Sequence, residues 1–398
     1  MNIREEFLSE FQDSRLLAET ITLINNIKAN GSKEILTYYK NKNIKRTNVF
    51  VSKHEIQLAM KYLTKSDIYS LNALKRSVNS IGKKEKNLIN KTVLLSKNKY
   101  FESKLYTTPL ETIGIYIPRN LPSSLIFYCE LARIAGVKNI ILALPPENDG
   151  KINKSLLAAA SLFEIHKIIA VGGRNAFPAL AFGIGNLIPD KLYGPCSMYV
   201  DYVKEVLNTF YKVPIDITAG PSELLIFCDD EKNIKQIEYD LRAQMEHGED
   251  SRCFILSTNS ILLKKISNSC IDIKKQIKYI LASDYNEGTK LINEIAPEIL
   301  EIFVNNPSKI LKGLNNIANV YVNTCSPLGD YCAVGKGCAD PTYGMAKGVG
   351  GITLASFYKT TCITRRTSTN GYKNAKWITH LPELEGFKYH KLAIENQL

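Results

Sequence analysis

Ile113-Gly-Ile-Tyr-Ile-Pro118, Asn139-Ile-Ile-Leu-Ala-Leu-Pro145 and Lys167-Ile-Ile-Ala-Val-Gly-Gly173 are short apolar runs, each halted by proline or glycine and followed by a segment of helical spacing. Runs of this length and composition read as buried strands at Ile113–Ile117, Asn139–Leu144 and Lys167–Val171. A strand, a breaker and then a helix, repeated, is the pattern of a doubly wound parallel sheet. The pattern returns downstream, where Leu224–Cys228 and Cys253–Ser257 read as strands on either side of a helix. Upstream, residues 1 to about 100 read as helices: Ile21, Ile24, Ile27 and Leu36 fall at helical spacing, interrupted at Ala29-Asn-Gly31. After residue 350 the chain reads as helical and polar, with its sole tryptophan at Trp377. The expected fold class is α/β, with two Rossmann-like doubly wound domains and helical N- and C-terminal segments.

The composition narrows the function. With 398 residues the chain is long enough for two or three units with their own cores. It has no apolar run of the roughly 18 residues a membrane span needs, and it opens on the charged Met1-Asn-Ile-Arg-Glu-Glu-Phe7 rather than a secretory signal. Nine cysteines without paired spacing favour reduced thiols and a cytoplasmic location. The net charge of +12 is spread over many lysines, and no nucleic-acid-binding motif accompanies it. No nucleic acid or membrane partner is expected; the charge favours solubility and anionic ligands such as a pyrophosphate.

The chemistry is concentrated in Asp240-Leu-Arg-Ala-Gln-Met-Glu-His-Gly-Glu-Asp250. Gln244 and His247 are three apart, which on a helix puts both on one face. Such a pair is either solvated surface or half of a metal site, since imidazole and an amide oxygen are both acceptable ligands for zinc-like ions. Two further candidates lie downstream, Asp330 in Leu328-Gly-Asp-Tyr331 and His390 in Phe387-Lys-Tyr-His-Lys391.

Taken together, these segments resemble the histidinol dehydrogenase family. The resemblance is carried by Gly220-Pro-Ser-Glu-Leu-Leu225, Gln244-Met-Glu-His-Gly248, Pro297-Glu-Ile-Leu300, Gly329-Asp-Tyr331, Pro341-Thr-Tyr-Gly344 and His390, in the family's order and approximate spacing. Ile115-Tyr-Ile-Pro118, Ala132-Arg-Ile-Ala-Gly-Val137, Val171-Gly-Gly-Arg-Asn-Ala176 and Ala179-Leu-Ala-Phe-Gly183 extend it upstream, so that it covers essentially the whole chain.

The resemblance implies oxidation of an amino alcohol to the amino acid in two hydride steps, with NAD and one Zn2+. It implies Gln244, His247, Asp330 and His390 as zinc ligands, Glu298 as the acid–base residue, and Ser222 and Glu385 as substrate contacts. Tyr116, Asn175 and Ser197 stand at its cofactor positions. It further implies a homodimer with a shared active site, in which His390 serves the partner's zinc. The corresponding division is 1–115 as a helical part of the first α/β domain, 116–223 as a second, cofactor-type α/β domain, 224–351 as the remainder of the first with the metal site, and 352–398 as a C-terminal helical dimerisation arm.

The chain also departs from that pattern. The family pairs a glutamate with a following histidine, and here the pair is Glu298-Ile299. Isoleucine cannot accept a proton, so Glu298 is left to serve alone. The family's histidine before Pro341-Thr-Tyr-Gly344 is missing, with Gly337 and Cys338 as the candidates for its place. Two glycine-rich cofactor loops are replaced by Pro118-Arg-Asn120 and Gly194-Pro-Cys-Ser197, so that Arg119 offers charge where backbone amides would otherwise approach phosphate. Cys196 and Cys338 are either nucleophiles for an aldehyde step or small buried hydrophobes.

Three functions remain open from the sequence. One is a zinc- and NAD-dependent dehydrogenase of L-histidinol or a related amino alcohol, in histidine biosynthesis. Another is a divergent paralogue acting on a different substrate in specialised metabolism. The third is a redox-inactive zinc-binding scaffold.

Overall fold

The computed structural model describes residues 14–396, leaving out 90, 99–100, 119, 219, 249, 274–275, 324–325, 338 and 368–375, and the side chain of Lys376. Arg119 and Cys338 therefore lie outside the described residues.

The chain starts as expected, with helices at Ser14–Asn30, Ser32–Asn41, Lys53–Lys61 and Lys65–Leu88. Ile24, Ile27 and Ile35 are buried from these helices, and Ile21 and Leu36 pack beside them. The helical reading fails just before residue 100. Residues Thr92–Lys97 form strand β1 and Phe101–Pro109 form β2, an antiparallel pair. The Asn98 side chain, just past β1, accepts the Phe101 N–H at the start of β2 at 2.9 Å.

Strands β3 (Thr112–Tyr116), β4 (Asn139–Ala143), β5 (Ile168–Ile169) and β6 (Lys191–Tyr193) form a parallel sheet in the order β5-β4-β3-β6. Every residue of β3 is buried, as a parallel strand covered on both faces requires. Alternation divides it: Ile113 and Ile115 join Leu125 and Leu131 of the helix Pro122–Ala135, while Tyr116 joins Phe177, Val203 and Ile24 on the other side. The helices of residues 14–88 thus share their cores with this sheet, and the 115/116 boundary expected from the sequence runs through β3.

The second parallel sheet contains β7 (Glu223–Cys228), β8 (Arg252–Ser257), β9 (Ile277–Leu281), β10 (Ile299–Phe303) and β11 (Asn319–Val322), in the order β11-β10-β7-β8-β9. On one face Leu224, Ile226 and Ile299 meet Ile237 and Leu241 of the helix Ile234–Met245; on the other, Leu225, Phe227 and Leu300 meet Ile292 of the helix Tyr285–Ile295. Both sheets are doubly wound, and the fold is α/β.

The expectation of helix after residue 350 also fails in part. Tyr358–Arg366 is a strand, β12, paired antiparallel with β2 from Tyr358↔Pro109 to Arg366↔Phe101. Its β-branched Thr360, Thr361, Ile363 and Thr364 suit an extended ribbon better than a helix. The expected C-terminal helices follow at Lys376–Leu384 and Lys388–Glu395 and pack on each other, tied by Lys391 and Glu383 at 3.1 Å. Among the described residues no helix is long and apolar enough to cross a membrane.

Candidate active site

Several singled-out residues lie where the strand starts of the second sheet approach the strand ends of the first. The junction is tight. A Cβ on Gly220 would stand 2.3 Å from the Cys196 carbonyl oxygen, so only glycine lets the segment before β7 lie against the Gly194–Ser197 loop. Gly194 has φ 138°, and a Cβ there would stand 2.0 Å from the Tyr116 carbonyl oxygen at the end of β3. Asp250, three residues beyond His247, accepts the Met198 N–H at 3.2 Å. That contact places a carboxylate at the start of the helix Met198–Tyr211, where its exposed amides favour negative charge. Ser197, at the N-cap of that helix, is exposed.

The Gly194 loop rests on a buried ion pair absent from the sequence-level site. Lys204 Nζ lies 2.5 Å from Asp216 Oδ1 and from the Ile217 carbonyl oxygen, and Asp216 Oδ2 accepts the Gly194 N–H at 2.9 Å. Burial pulls the Lys204 ammonium toward neutrality, and the Asp216 carboxylate, with Cys196 and Asp201, outweighs it and holds the proton. A lysine inside the apolar helix run Tyr202-Val-Lys-Glu-Val206 was the available signal. Cys196 is half-buried with its thiol 3.5 Å from Asp201 Oδ1, and burial, then the Asp201 charge, pushes that thiol well above its ordinary range, which argues against the nucleophile reading.

Tyr116 and Asn175, both cofactor candidates, are buried. The Tyr116 hydroxyl accepts the Gly173 N–H at 3.1 Å, and its ring stands edge-on to Phe177 at 5.4 Å. They form the wall beneath the loop rather than an open surface.

The helix Ile234–Met245 ends sooner than the Gln244/His247 spacing suggests. Gln244 is its penultimate residue, and His247 lies in the turn beyond, exposed, with its amide and Nδ1 both 3.2 Å from the Gln244 carbonyl oxygen. Gln244 is 5% exposed, and its Nε2 has no hydrogen-bond partner. Asp330, on the helix Pro327–Val334, likewise has a buried Oδ2 with no partner.

Around these two stands an acidic group. Asp240, one turn before Gln244, is pushed up to about 6 by burial and then by the Asp330 charge. Glu301, fully buried on β10 with both carboxylate oxygens unpartnered, is pushed well up by burial, then by Asp240 and Asp330. Orphaned carboxylate oxygens on Asp330 and Glu301, with Asp240 adding to the negative charge, are what a cation site looks like before the cation is counted. Among the described residues no three His, Cys, Asp or Glu side chains cluster as a metal group, so His247, Asp330 and His390 do not converge within one chain. His390 is exposed on the C-terminal helix against Phe387, and Glu385 is exposed in the turn before it.

A second carboxyl group of three gathers at the starts of β7 and β10. Glu298 Oε2 accepts the Glu223 N–H at 2.9 Å, and Glu223 Oε1 accepts the Tyr343 N–H at 3.2 Å. Asp340 lies on the same segment as Tyr343 and is 2% exposed. Burial raises all three carboxyls: Glu223 to about 7, Asp340 to about 6, and Glu298 well up, with the Asp340 and Glu223 charges adding to the last. Ser222, just before β7, is half-buried, and its carbonyl accepts the Arg252 N–H at 3.0 Å.

The family model described as Histidinol dehydrogenase matches residues 9–398. The chain belongs to the histidinol dehydrogenase family. The Histidinol dehydrogenase of Bacillus cereus is 31% identical over 391 residues, covering 92% of this chain and 89% of its own. That of Listeria monocytogenes is 30% identical over 402 residues, covering 95% and 92%. The crystal structure of the Histidinol Dehydrogenase from Elizabethkingia anophelis superposes with a TM-score of 0.85 at 26% identity, covering 96% of this chain and 92% of that one. Family membership makes the chain an oxidoreductase of the CH–OH class.

Proposed function

We propose that the protein is a zinc- and NAD-dependent dehydrogenase of L-histidinol or a closely related amino alcohol. It works as a homodimer in the cytoplasm, with residues 352–398 as the arm that completes the partner's site. The observation that carries the reading is the buried, unpartnered Asp330 Oδ2 and the unpartnered Glu301 carboxylate beside Asp240, on whose helix Gln244 lies one turn further on. Gln244, His247 and Asp330 would hold the metal, with His390 of the partner subunit as the fourth ligand. Zinc held there would supply Lewis-acid polarisation of a substrate hydroxyl, easing loss of its proton.

The chain's own residues do the rest. Glu298 takes the hydroxyl proton, its carboxyl fixed by the Glu223 amide. Ser222 and the partner's Glu385 contact the amino alcohol, the carboxylate matching an ammonium group. Tyr116, Asn175 and Ser197 back the nicotinamide cofactor at the strand ends of the first sheet. Free thiols at the described cysteines suit a reducing compartment. For the dimer, the support is the exposed apolar face of the arm, where Trp377 is 67% and Tyr389 79% exposed, with Leu384 and Phe387 beside them.

Metal analysis and NADH formation test the reading together. The purified protein is expected to carry one zinc per chain and to reduce NAD with histidinol, and His247→Ala to lose both. Wild-type protein without stoichiometric zinc would overturn it. The paralogue reading is favoured by one observation, the apolar Ile299 at the position of a base. Its signature is zinc and NAD binding with turnover of an alcohol other than histidinol, whereas zinc without NAD binding is that of the scaffold.

A further inference from the structure

We infer that Thr342 is a positioning residue: with Tyr343 it grips the chain entering β7 through three hydrogen bonds and so sets Ser222 and Glu298 in one register, the amino alcohol against the group that takes its proton. The inference rests on the reading of Ser222 as a substrate contact and Glu298 as the acid–base residue.

The bonds run in an unbroken series. The Thr342 amide donates to the Thr218 carbonyl at 3.1 Å, and its hydroxyl donates to the Gly220 carbonyl at 3.1 Å. The Tyr343 amide donates to Glu223 Oε1 at 3.2 Å. The Glu223 amide in turn donates to Glu298 Oε2 at 2.9 Å. Two adjacent residues thus hold the chain on both sides of Ser222, and the second hold passes directly to Glu298. Thr342 is fully buried and Glu223 is 2% exposed, which keeps the bonds out of competition with water.

The gripping segment is itself anchored. Asp340 Oδ2 accepts the side-chain amide of Asn319 on β11, the strand beside β10. Tyr343 takes φ 57°, a left-handed conformation that a bulky side chain rarely adopts, and Gly344 follows at φ 69°. Such a backbone persists where its surroundings over-determine it. Arg252, whose amide donates to the Ser222 carbonyl, sets its guanidinium 5.9 Å from the centre of the Tyr343 ring. On the other side Gly220 has no room to retreat, since a Cβ there would stand 2.3 Å from the Cys196 carbonyl oxygen. The chain entering β7 is therefore held between the Gly194–Ser197 loop and Thr342.

The choice of threonine carries the inference. Valine would fill the same space, and only the hydroxyl reaches the Gly220 carbonyl. A buried hydroxyl is costly unless bonded, and here its bond goes to a backbone group two residues before Ser222. A displacement of about 1 Å at reacting groups lowers a rate by up to about a hundredfold.

The test uses the full-length, zinc-loaded protein with histidinol and NAD. Thr342→Val keeps the shape and removes the hydroxyl; Thr342→Ser keeps the hydroxyl and removes a methyl. Thr342→Val is expected to lower kcat by about ten- to a hundredfold, with its zinc content unchanged and KM for NAD altered less than about twofold. Thr342→Ser is expected to stay within about threefold of wild type. The primary isotope effect on kcat, read with substrate deuterated at the carbinol carbon, is expected to grow in Thr342→Val because misplacement slows the hydride step itself. A residue that only packs would give the reverse order, with serine the worse of the two, and an unchanged isotope effect. Amide exchange gives a readout independent of turnover: the Glu223 and Tyr343 amides are expected to exchange about tenfold faster in Thr342→Val. Wild-type kcat in Thr342→Val, or an equal loss in Thr342→Ser, overturns the inference. Should Thr342→Val fail to fold, Thr342→Cys, whose thiol is a weak donor, is expected to show the same pattern at several-fold loss, and wild-type kcat there is equally fatal. Wild-type protein that turns over no amino alcohol would sink the functional reading, while unchanged exchange at the two amides would sink the grip itself.

Discussion

Ile299 opens β10 with its side chain packed on the layer of the helix that carries Gln244. A proton acceptor at that position would look toward the proposed metal ligands, which makes it a direct place to restore a base. Ile299→His is expected to raise the rate of histidinol oxidation by about tenfold or more if the substrate is histidinol-like, read as NADH formation at saturating substrate. Equal rates in both proteins would point to a changed substrate. An apolar neighbour such as Ile299 should raise the Glu298 carboxyl by desolvation, and burial is the first cause of its rise, followed by the Asp340 and Glu223 charges. Asp340 also carries a stability signature. Its folded value is raised from 3.8 to about 6, so the folded state binds a proton that the unfolded state has already released. The stabilising contribution is full below about pH 4 and disappears as pH rises through about 6. Asp340→Asn should therefore gain stability over wild type at about pH 8 relative to about pH 4, on the order of 2–3 kcal/mol, measured by urea unfolding at both values. The gap should be absent if Asp340 titrates normally.

Among elements, those whose stabilising contacts are close in sequence were legible and those completed from afar were not. The central strands β3, β4, β7 and β8 declared themselves because a parallel strand buried on both faces must be apolar throughout. The helix Tyr285–Ile295 is fixed by local chemistry, since Asp284 accepts the amides of both Asn286 and Glu287 at 2.8 Å. Asp284→Ala should cost about 1 kcal/mol in thermal or urea unfolding. By contrast, β1 and β12 are polar and largely exposed and β2 is half-buried along most of its length, so no hydrophobic period marks them. β1 pairs with its sequence neighbour β2, while β2 and β12 are joined because the segment near residue 100 finds its second ladder partner near residue 360. The Lys204–Asp216 pair was hidden for the same reason: a lysine within an apolar helix gives no hint of which carboxylate will meet it. Lys204→Met leaves Asp216 charged and buried, and should destabilise by about 3–5 kcal/mol, with Lys204→Met/Asp216→Leu recovering part of the loss. A single variant as stable as wild type would show that water reaches the pair.

At the scale of the molecule, the site is assembled from loops of two sheets and, on the proposed reading, from a second chain. Motif order revealed the family and named the residues, but only the fold shows Gly220 seated on Cys196, Asp250 at the start of the Met198 helix and the Glu223 amide on Glu298. Those contacts join separate motifs, and nothing within one motif says which other it will meet. The exposed arm gives the matching prediction. A chain ending at residue 367 should keep both parallel sheets, lose dimerisation in sedimentation experiments, and bind zinc far more weakly in chelator competition. A dimeric truncated protein with unchanged zinc affinity would place the shared ligand elsewhere.

The β2–β12 pairing has a consequence for how the chain is made. β2 leaves the ribosome with one edge open, and the strand that covers it follows roughly 250 residues later, which at ~5–20 residues per second is on the order of tens of seconds. Throughout that interval both doubly wound sheets are emerging and folding while the older edge waits, free to pair with any other nascent strand. Its lysine-rich surroundings, Lys97 and Lys104 on the ribbon itself, are then a guard during synthesis as much as a surface of the finished protein.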